Sequence, residues 1–335
     1  MNGAAIRPTV LLAAHLPDEF VQRMSTRYDL LGPLSTPFPD AVAALPPEDA
    51  ARVRAVITSG VVNTSRAALA GLPAVGLVCC LGSGYEGVDL IAAAERGIAV
   101  THSPGANASA VADLALGLLI GSVRRLPQAD ACLRRGEWKG DYAHLMGLVR
   151  GLTGRKVGIY GLGEIGMKIA QRAAAFEMEI GYHNRKPRPD AGYPYFATLR
   201  ELAAWADVLM IAVRAGAANR HAVDAGVLAA LGPQGYIVNI ARGAVIDETA
   251  LIHALRDGVI EGAGLDVFER EPDIPDELLA LPNVALSPHI AGGTLDAQQA
   301  MQRMVVANLD AFFAGRPVVT PVPEALPQPQ AAAAG

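Results

Sequence analysis

The chain has 335 residues, 51% of them hydrophobic and only 5% aromatic, and carries a net charge of −5. That length and apolar content suit a two-domain α/β protein with ample core and exclude a fibrous or disordered chain. The basic residues are scattered under a net negative charge, which argues against a nucleic-acid partner or an acidic membrane surface. Cys79, Cys80 and Cys132 are too few and too poorly spaced for a disulfide framework or a zinc site, so no metal is expected and a reduced compartment is. No signal peptide is evident around Arg7 and Pro8, and no uninterrupted apolar run reaches about 18 residues, so a cytoplasmic protein without a membrane partner is expected.

Apolar strand-like runs at residues 10–14, 53–58, 75–79 and 98–101 alternate with helical stretches at 16–27 and 88–96. This rhythm predicts a parallel sheet with helices on both faces. Residues 108–123 form an Ala- and Leu-rich segment containing Gly117 and Gly121 and stopping at Arg124-Arg125, with a second stretch at 126–138. The first is predicted as a buried helix linking two lobes rather than a membrane span. The alternation then repeats, with strands near Lys156, Glu179, Val208, Tyr236, Gly262 and Val284, so two doubly wound units are expected. A periodic helix at 295–313, ended by Gly315-Arg316-Pro317, is predicted to return to the first lobe. The Pro- and Ala-rich remainder, 318–335, is expected to be a flexible tail.

Gly161-Leu162-Gly163-Glu164-Ile165-Gly166 lies directly after the apolar run 156–160 and opens a predicted helix with Ile165, Ile169, Ala173 and Phe176 on one stripe. A glycine-rich turn in that setting brings backbone close to a pyrophosphate and aims helix N-terminal N–H groups at it, which predicts a dinucleotide site. An NAD-selective site carries Asp or Glu at the end of the next strand, roughly 20 residues beyond the glycines. This chain has His183-Asn184-Arg185-Lys186 instead. No carboxylate is present there to repel a 2′-phosphate, and Arg185 and Lys186 can bind one, so NADP(H) is the expected cofactor; the alternative is a solvated basic turn ended by Pro187. Asn184 can still hold a ribose hydroxyl, which leaves NAD(H) possible. In Ala212-Val213-Arg214-Ala215-Gly216, Arg214 has the adenine, the 2′-phosphate or solvent within its expected reach.

Further motifs follow the same order along the chain. They are Leu81-Gly82-Ser83-Gly84-Tyr85-Glu86-Gly87-Val88-Asp89, Asn239-Ile240-Ala241-Arg242-Gly243, Val245-Ile246-Asp247-Glu248, Gly264-Leu265-Asp266-Val267-Phe268, Glu271-Pro272 and Pro288-His289-Ile290. Together with the glycine-rich turn, these stretches closely resemble the D-isomer-specific 2-hydroxyacid dehydrogenases, which include glyoxylate/hydroxypyruvate reductases and phosphoglycerate dehydrogenases. The resemblance covers residues 53–309.

It implies two Rossmann-like doubly wound parallel-sheet domains with the active site in the cleft between them, and a homodimer. The substrate-binding domain would be 1–107 with 294–320, the dinucleotide-binding domain 108–293, and 321–335 the tail.

By resemblance, Arg242 grips the carboxylate and carbonyl oxygen of a small 2-keto or 2-hydroxy acid, a task suited to a planar, permanently charged fork at the end of the apolar strand 236–240. His289 matches the general acid/base, imidazole being the side chain that titrates nearest neutral pH. Glu271 would accept a hydrogen bond from its other nitrogen and fix the tautomer. Ser83 and Gly84 match a loop whose N–H groups hold the substrate carboxylate, and Gly60 and Val61, after Ser59, are expected to face the same pocket. Asp266 matches the aspartate that hydrogen-bonds the nicotinamide carboxamide, and Val213, Ile240, Ala241 and Gly292 are further expected cofactor positions. The other six histidines are assigned structural roles.

The expected activity is NADPH-dependent reduction of glyoxylate, hydroxypyruvate or a similar 2-keto acid to the D-hydroxy acid. Two alternatives are a dinucleotide-sensing, corepressor-like interaction protein without turnover and NAD-linked oxidation of a larger D-2-hydroxy acid. The full Arg242, Glu271 and His289 set argues against the first, and the missing ribose carboxylate against the second.

Overall fold

Runs of Val, Ile, Leu and Cys with no polar face make strands that must be covered on both sides, and the computed structural model arranges them in two parallel sheets. It describes residues 7–34, 37–141 and 147–324. The chain divides into two compact units, Met1–Asn107 with Leu295–Gly335 and Ala108–Thr294.

The first unit contains β1 (Thr9–Leu12), α1 (Asp18–Ser25), β2 (Asp29–Leu31), α2 (Phe38–Ala43), α3 (Pro47–Arg52), β3 (Val53–Ser59), α4 (Arg66–Ala70), β4 (Leu77–Leu81), α5 (Leu90–Glu95) and β5 (Ala99–Thr101). Its sheet runs β2-β1-β3-β4-β5, all parallel. The short strand β2 and helices α2 and α3 carry too few residues to show a period, although Pro37 and the Pro46-Pro47 pair mark where the two helices begin. The last helix, Leu295–Phe313, belongs to this unit. Its Val305 and Leu309 share a core with Val10, Leu12, Ile57 and Leu77.

The expected tail needs correction where it is described. Val318 and Val322 are buried at 8% and 2% exposure. The Val322 N–H donates to the Val100 carbonyl at 3.0 Å, and Pro321 bridges to Thr101. A composition rich in Pro and Ala hid a strap that pairs with the edge of β5. Residues 325–335 and 142–146 lie outside the described residues.

The second unit contains α6 (Ala108–Val123), α7 (Leu126–Arg134), β6 (Lys156–Tyr160), α8 (Glu164–Ala175), β7 (Glu179–His183), α9 (Leu199–Trp205), β8 (Val208–Ile211), α10 (Ala225–Leu231), β9 (Tyr236–Asn239), α11 (Glu248–Arg256), β10 (Gly262–Leu265), α12 (Asp276–Leu279) and β11 (Val284–Leu286). The sheet order is β11-β10-β9-β8-β6-β7, all parallel. Since β7 and β8 flank β6 on opposite sides, the strand order reverses beside β6, the position at which such sheets bind ligands. Phe176, expected on the buried stripe of α8, lies past its last residue and is 41% exposed, while Ile169 and Ala173 are fully buried.

Helix α6 is apolar nearly all round because it is buried in this unit. It docks on β10 through a gap that only glycine leaves open: a Cβ on Gly264 would stand 2.9 Å from the Leu118 Cβ and 3.1 Å from the Leu118 carbonyl oxygen. Beside it, the buried Ser122 hydroxyl donates toward the carbonyls of Ala263 at 2.7 Å and Leu118 at 2.9 Å. No helix among the described residues is long and apolar enough to cross a membrane, and no group of three or more of their His, Cys, Asp and Glu side chains could hold a metal ion. The three cysteines are buried and free; burial pushes the Cys79 thiol up to about 12, which keeps it protonated.

The docking of α6 sets a prediction. Gly264→Val should lower unfolding free energy by about 1–3 kcal/mol through overpacking, whereas Gly117→Ala, on an exposed helical site with nothing within 4 Å, should stabilise by up to about 1 kcal/mol. Urea unfolding of the two variants checks this, and equal midpoints would contradict the packing described.

Candidate active site

The register of the second sheet lines up Tyr160, Ile211, Asn239, Leu265 and Leu286 as neighbours at the carboxyl ends of their strands. The residues that follow, Gly161, Ala212, Ile240, Asp266 and Ser287, therefore form one row along the sheet edge. Parallel pairing thus gathers motifs that lie far apart in sequence.

The glycine-rich turn has three glycines with three separate reasons. Gly161 has φ 100°, and a Cβ there would stand 2.5 Å from the Val213 Cα and backbone nitrogen. Gly166 would place a Cβ 2.2 Å from the Gly161 carbonyl oxygen, so it permits close helix-strand packing. At Gly163 nothing lies within 4 Å of that position. It is the N-cap of α8 and supplies no side-chain cap, so the first N–H groups of the helix are left uncapped by a side chain, as an anion cradle requires. The residues present fit a dinucleotide pyrophosphate.

Asn184 is tied to this turn: its side-chain oxygen accepts the Leu162 N–H at 2.7 Å. That bond uses one of the two lone pairs of the oxygen and leaves the other, with the amide nitrogen, for a ribose hydroxyl. Arg188, which sequence reasoning passed over, donates to the Leu162 carbonyl at 3.0 Å and pairs with Asp190 at 2.9 Å. Arg185 and Lys186 are exposed and make no hydrogen bond or ion pair among the described residues. Arg214 is exposed, and its carbonyl accepts the Asn219 amide at 2.7 Å.

After β9, Asn239 folds the chain into the turn that carries Arg242. Its buried side chain accepts the Ala241 N–H at 3.0 Å and donates to the Arg242 carbonyl at 3.0 Å. The guanidinium is half-buried and donates to the Ala241 carbonyl at 2.7 Å. Ile240 and Ala241 are buried beside it, and Gly292 is half-buried. Gly243 locks this turn to the next motif, because a Cβ there would fall 1.8 Å from the Phe268 carbonyl carbon. The Phe268 N–H in turn donates to one Glu271 oxygen at 3.0 Å. The other Glu271 oxygen lies 2.7 Å from His289 Nδ1. Arg242, Glu271 and His289 thus hang on one continuous set of contacts.

His289 stands at φ 53°, a left-handed conformation that costs a residue with a side chain of the order of 1–3 kcal/mol. Asp266 holds it there. The Asp266 carbonyl accepts the His289 N–H at 2.8 Å. Its carboxylate, fully buried, accepts the Ser287 hydroxyl at 2.6 Å and the N–H groups of Ile290 at 2.9 Å and Ala291 at 3.0 Å. A carboxylate out of solvent and engaged by three donors clamps the histidine loop, with one acceptor site left for the expected hydrogen bond to the nicotinamide carboxamide.

The loop bearing Glu271 is braced from its outer side by Glu269. That carboxylate lies 2.8 Å from His221 Nε2 and 2.5 Å from the Arg220 guanidinium, and the Glu269 N–H donates to Glu248 at 3.0 Å. Burial pushes the Glu269 carboxyl up, but hydrogen bonds and charge from His221 and Arg220 outweigh it and hold it below the usual range. No sequence signal marked this brace beyond the acidic residue next to Arg270-Glu271.

In the first unit, the loops after β3 and β4 interlock. A Cβ on Gly60 would fall 1.9 Å from the Gly84 carbonyl oxygen, and the Gly87 N–H donates to the Gly60 carbonyl at 2.7 Å. Val61 is 59% exposed. Gly60 therefore acts by letting the 82–85 loop close upon it.

Known proteins and solved structures resemble this chain along most of its length. A family model described as D-isomer specific 2-hydroxyacid dehydrogenase, NAD binding domain, matches residues 116–291. A hydroxyphenylpyruvate reductase of Plectranthus scutellarioides is 38% identical over 314 residues, covering 93% of this chain and 98% of that protein. A glyoxylate/hydroxypyruvate reductase of Arabidopsis thaliana is 41% identical over 271 residues, covering 81% and 85%. Among solved structures, an NADPH-dependent glyoxylate/hydroxypyruvate reductase of Sinorhizobium meliloti, in complex with NADP and malonate, superposes with a TM-score of 0.86 at 39% identity, covering 95% of this chain and 98% of that one. Two Rossmann-like parallel sheets, a glycine turn that fits a dinucleotide and these relatives lead to one conclusion: the chain belongs to the D-isomer-specific 2-hydroxyacid dehydrogenase family.

Proposed function

We propose that this protein is an NADPH-dependent reductase of small 2-keto acids, glyoxylate and hydroxypyruvate among them, yielding the D-2-hydroxy acid. The observation that carries the reading is the 2.7 Å contact between His289 Nδ1 and Glu271, linked through Phe268 and Gly243 to the turn of Arg242. Relatives named as glyoxylate/hydroxypyruvate reductases support the substrate class. The second unit would hold the dinucleotide on its glycine-rich turn.

When bound, a reduced nicotinamide supplies the hydride to the carbonyl carbon. Arg242 binds the carboxylate and carbonyl oxygens and draws electron density toward the oxygen. A carboxylate is an acceptor, so the Nδ1 facing Glu271 carries a hydrogen and Nε2 is the nitrogen that serves the substrate. His289 then gives its Nε2 proton to the carbonyl oxygen and is left as the neutral Nδ1–H tautomer, held in orientation by Glu271. The side chains of His289 and Glu271 are 38% and 35% exposed, open enough for solvent to return the proton. His289→Ala should cut turnover of glyoxylate with NADPH by about 10²–10⁴-fold while NADPH binding, followed by fluorescence titration, stays unchanged; full turnover would remove His289 from the reaction.

The preference for NADPH rests on the end of β7. There Arg185 and Lys186 are exposed without an ion-pair partner among the described residues, and no carboxylate follows the strand. The solved relative in complex with NADP supports the same preference. Replacing both, Arg185→Ser with Lys186→Ser, should raise KM for NADPH by about tenfold or more, through lost charge-assisted hydrogen bonds, and leave KM for NADH within about twofold. Equal changes for the two cofactors would contradict recognition of a 2′-phosphate.

A further inference from the structure

We propose that His102 is a positioning residue for the substrate-carboxylate loop, aiming the Gly84 N–H by gripping the carbonyl of the same peptide unit. The inference rests on the proposed role of Ser83 and Gly84 and adds a side chain that neither the family motifs nor the sequence reading assigned to the site.

His102 Nδ1 lies 3.0 Å from the Ser83 carbonyl oxygen. A carbonyl only accepts, so Nδ1 carries the hydrogen. The Ser83 carbonyl and the Gly84 N–H belong to one planar trans unit and point in opposite directions. Holding the carbonyl inward therefore turns the Gly84 N–H outward. The neighbouring unit is set the same way: the Ser103 N–H donates to the Gly82 carbonyl at 2.7 Å, which fixes the direction of the Ser83 N–H. Neither the Ser83 nor the Gly84 amide has an acceptor among the described residues. Two adjacent amides aimed together make a nest for one carboxylate.

The imidazole is itself held. Its edge meets the Tyr85 ring, centroids 5.1 Å apart at 77°, and Tyr85 is bound through its hydroxyl to Glu324. The His102 N–H donates to the Thr320 carbonyl at 3.1 Å, and the His102 carbonyl accepts the Thr320 hydroxyl at 2.6 Å. Asn308, buried on the last helix, holds Thr320 by its side chain at 2.8 Å and its N–H at 3.0 Å. The strap after that helix thus anchors the residue that orients the loop.

The test is steady-state kinetics on the full-length enzyme with glyoxylate and NADPH, alongside thermal unfolding. His102→Ala should raise KM for glyoxylate about tenfold, as expected for one lost hydrogen bond, with kcat and KM for NADPH within about twofold. His102→Asn should restore KM, because its amide nitrogen takes the place of Nδ1, and the same-sized His102→Asp, which cannot donate when ionised, should not. The Asn and Asp pair decides the matter even if the alanine variant fails to fold, and equal KM values in that pair would overturn the proposal. Gly84→Pro, which removes the N–H itself, separates the two readings. If it raises KM while the His102 variants do not, His102 is overturned and the loop stands; if neither raises KM, the carboxylate role of the loop falls and His102 with it.

Discussion

A single buried carboxylate organises the carboxyl edge of the second sheet. Asp266 is fully buried, and an ionised group out of water is tolerated only when donors replace its hydration. Its three donors come from Ser287, Ile290 and Ala291, on either side of His289. Satisfying the charge folds the loop around it, and His289 is left at φ 53° with its ring toward Glu271. A strained backbone at that residue is what a loop tied down at both ends produces.

Around this clamp, each neighbouring motif fixes the next. Asn239 shapes the Arg242 turn, Gly243 presses that turn against Phe268, and Phe268 holds Glu271. Glu269, braced by Arg220 and His221, steadies the same loop from outside. In the proposed mechanism Glu271 acts through His289 rather than on substrate, and Glu269 only steadies the loop that carries Glu271. Catalytic groups held this way lose little freedom when a substrate arrives, so less binding free energy goes into arranging them.

Much of this was legible in the chain itself. Apolar runs such as Val157–Tyr160 read as buried strands because both of their faces are covered, and the glycine turn read as a dinucleotide site because Gly161 and Gly166 permit close backbone approach while Gly163 leaves the helix N-terminus open. What stayed hidden depends on contacts over long sequence distances. The donors to Asp266 come from residues 21 to 25 positions later, so its clamp role has no local signature. Asn184 turned out to grip Leu162 across 22 positions. The 318–324 strap reads as tail by composition, yet two buried valines, a backbone hydrogen bond to Val100 and the bonds of Thr320 to His102 and Asn308 seat it. His102 sits in no motif, and only the fold brings it to the Ser83 carbonyl.

The central claim is that Glu271 and His289 form one acid/base unit in which the carboxylate works solely through the imidazole. The most direct measurement is a double-mutant cycle on kcat for keto-acid reduction, using Glu271→Gln, His289→Ala and the double variant. The account predicts that Glu271→Gln slows the enzyme about tenfold or more when His289 is present and by less than about twofold when it is absent. Losses that simply multiply in the double variant would contradict it.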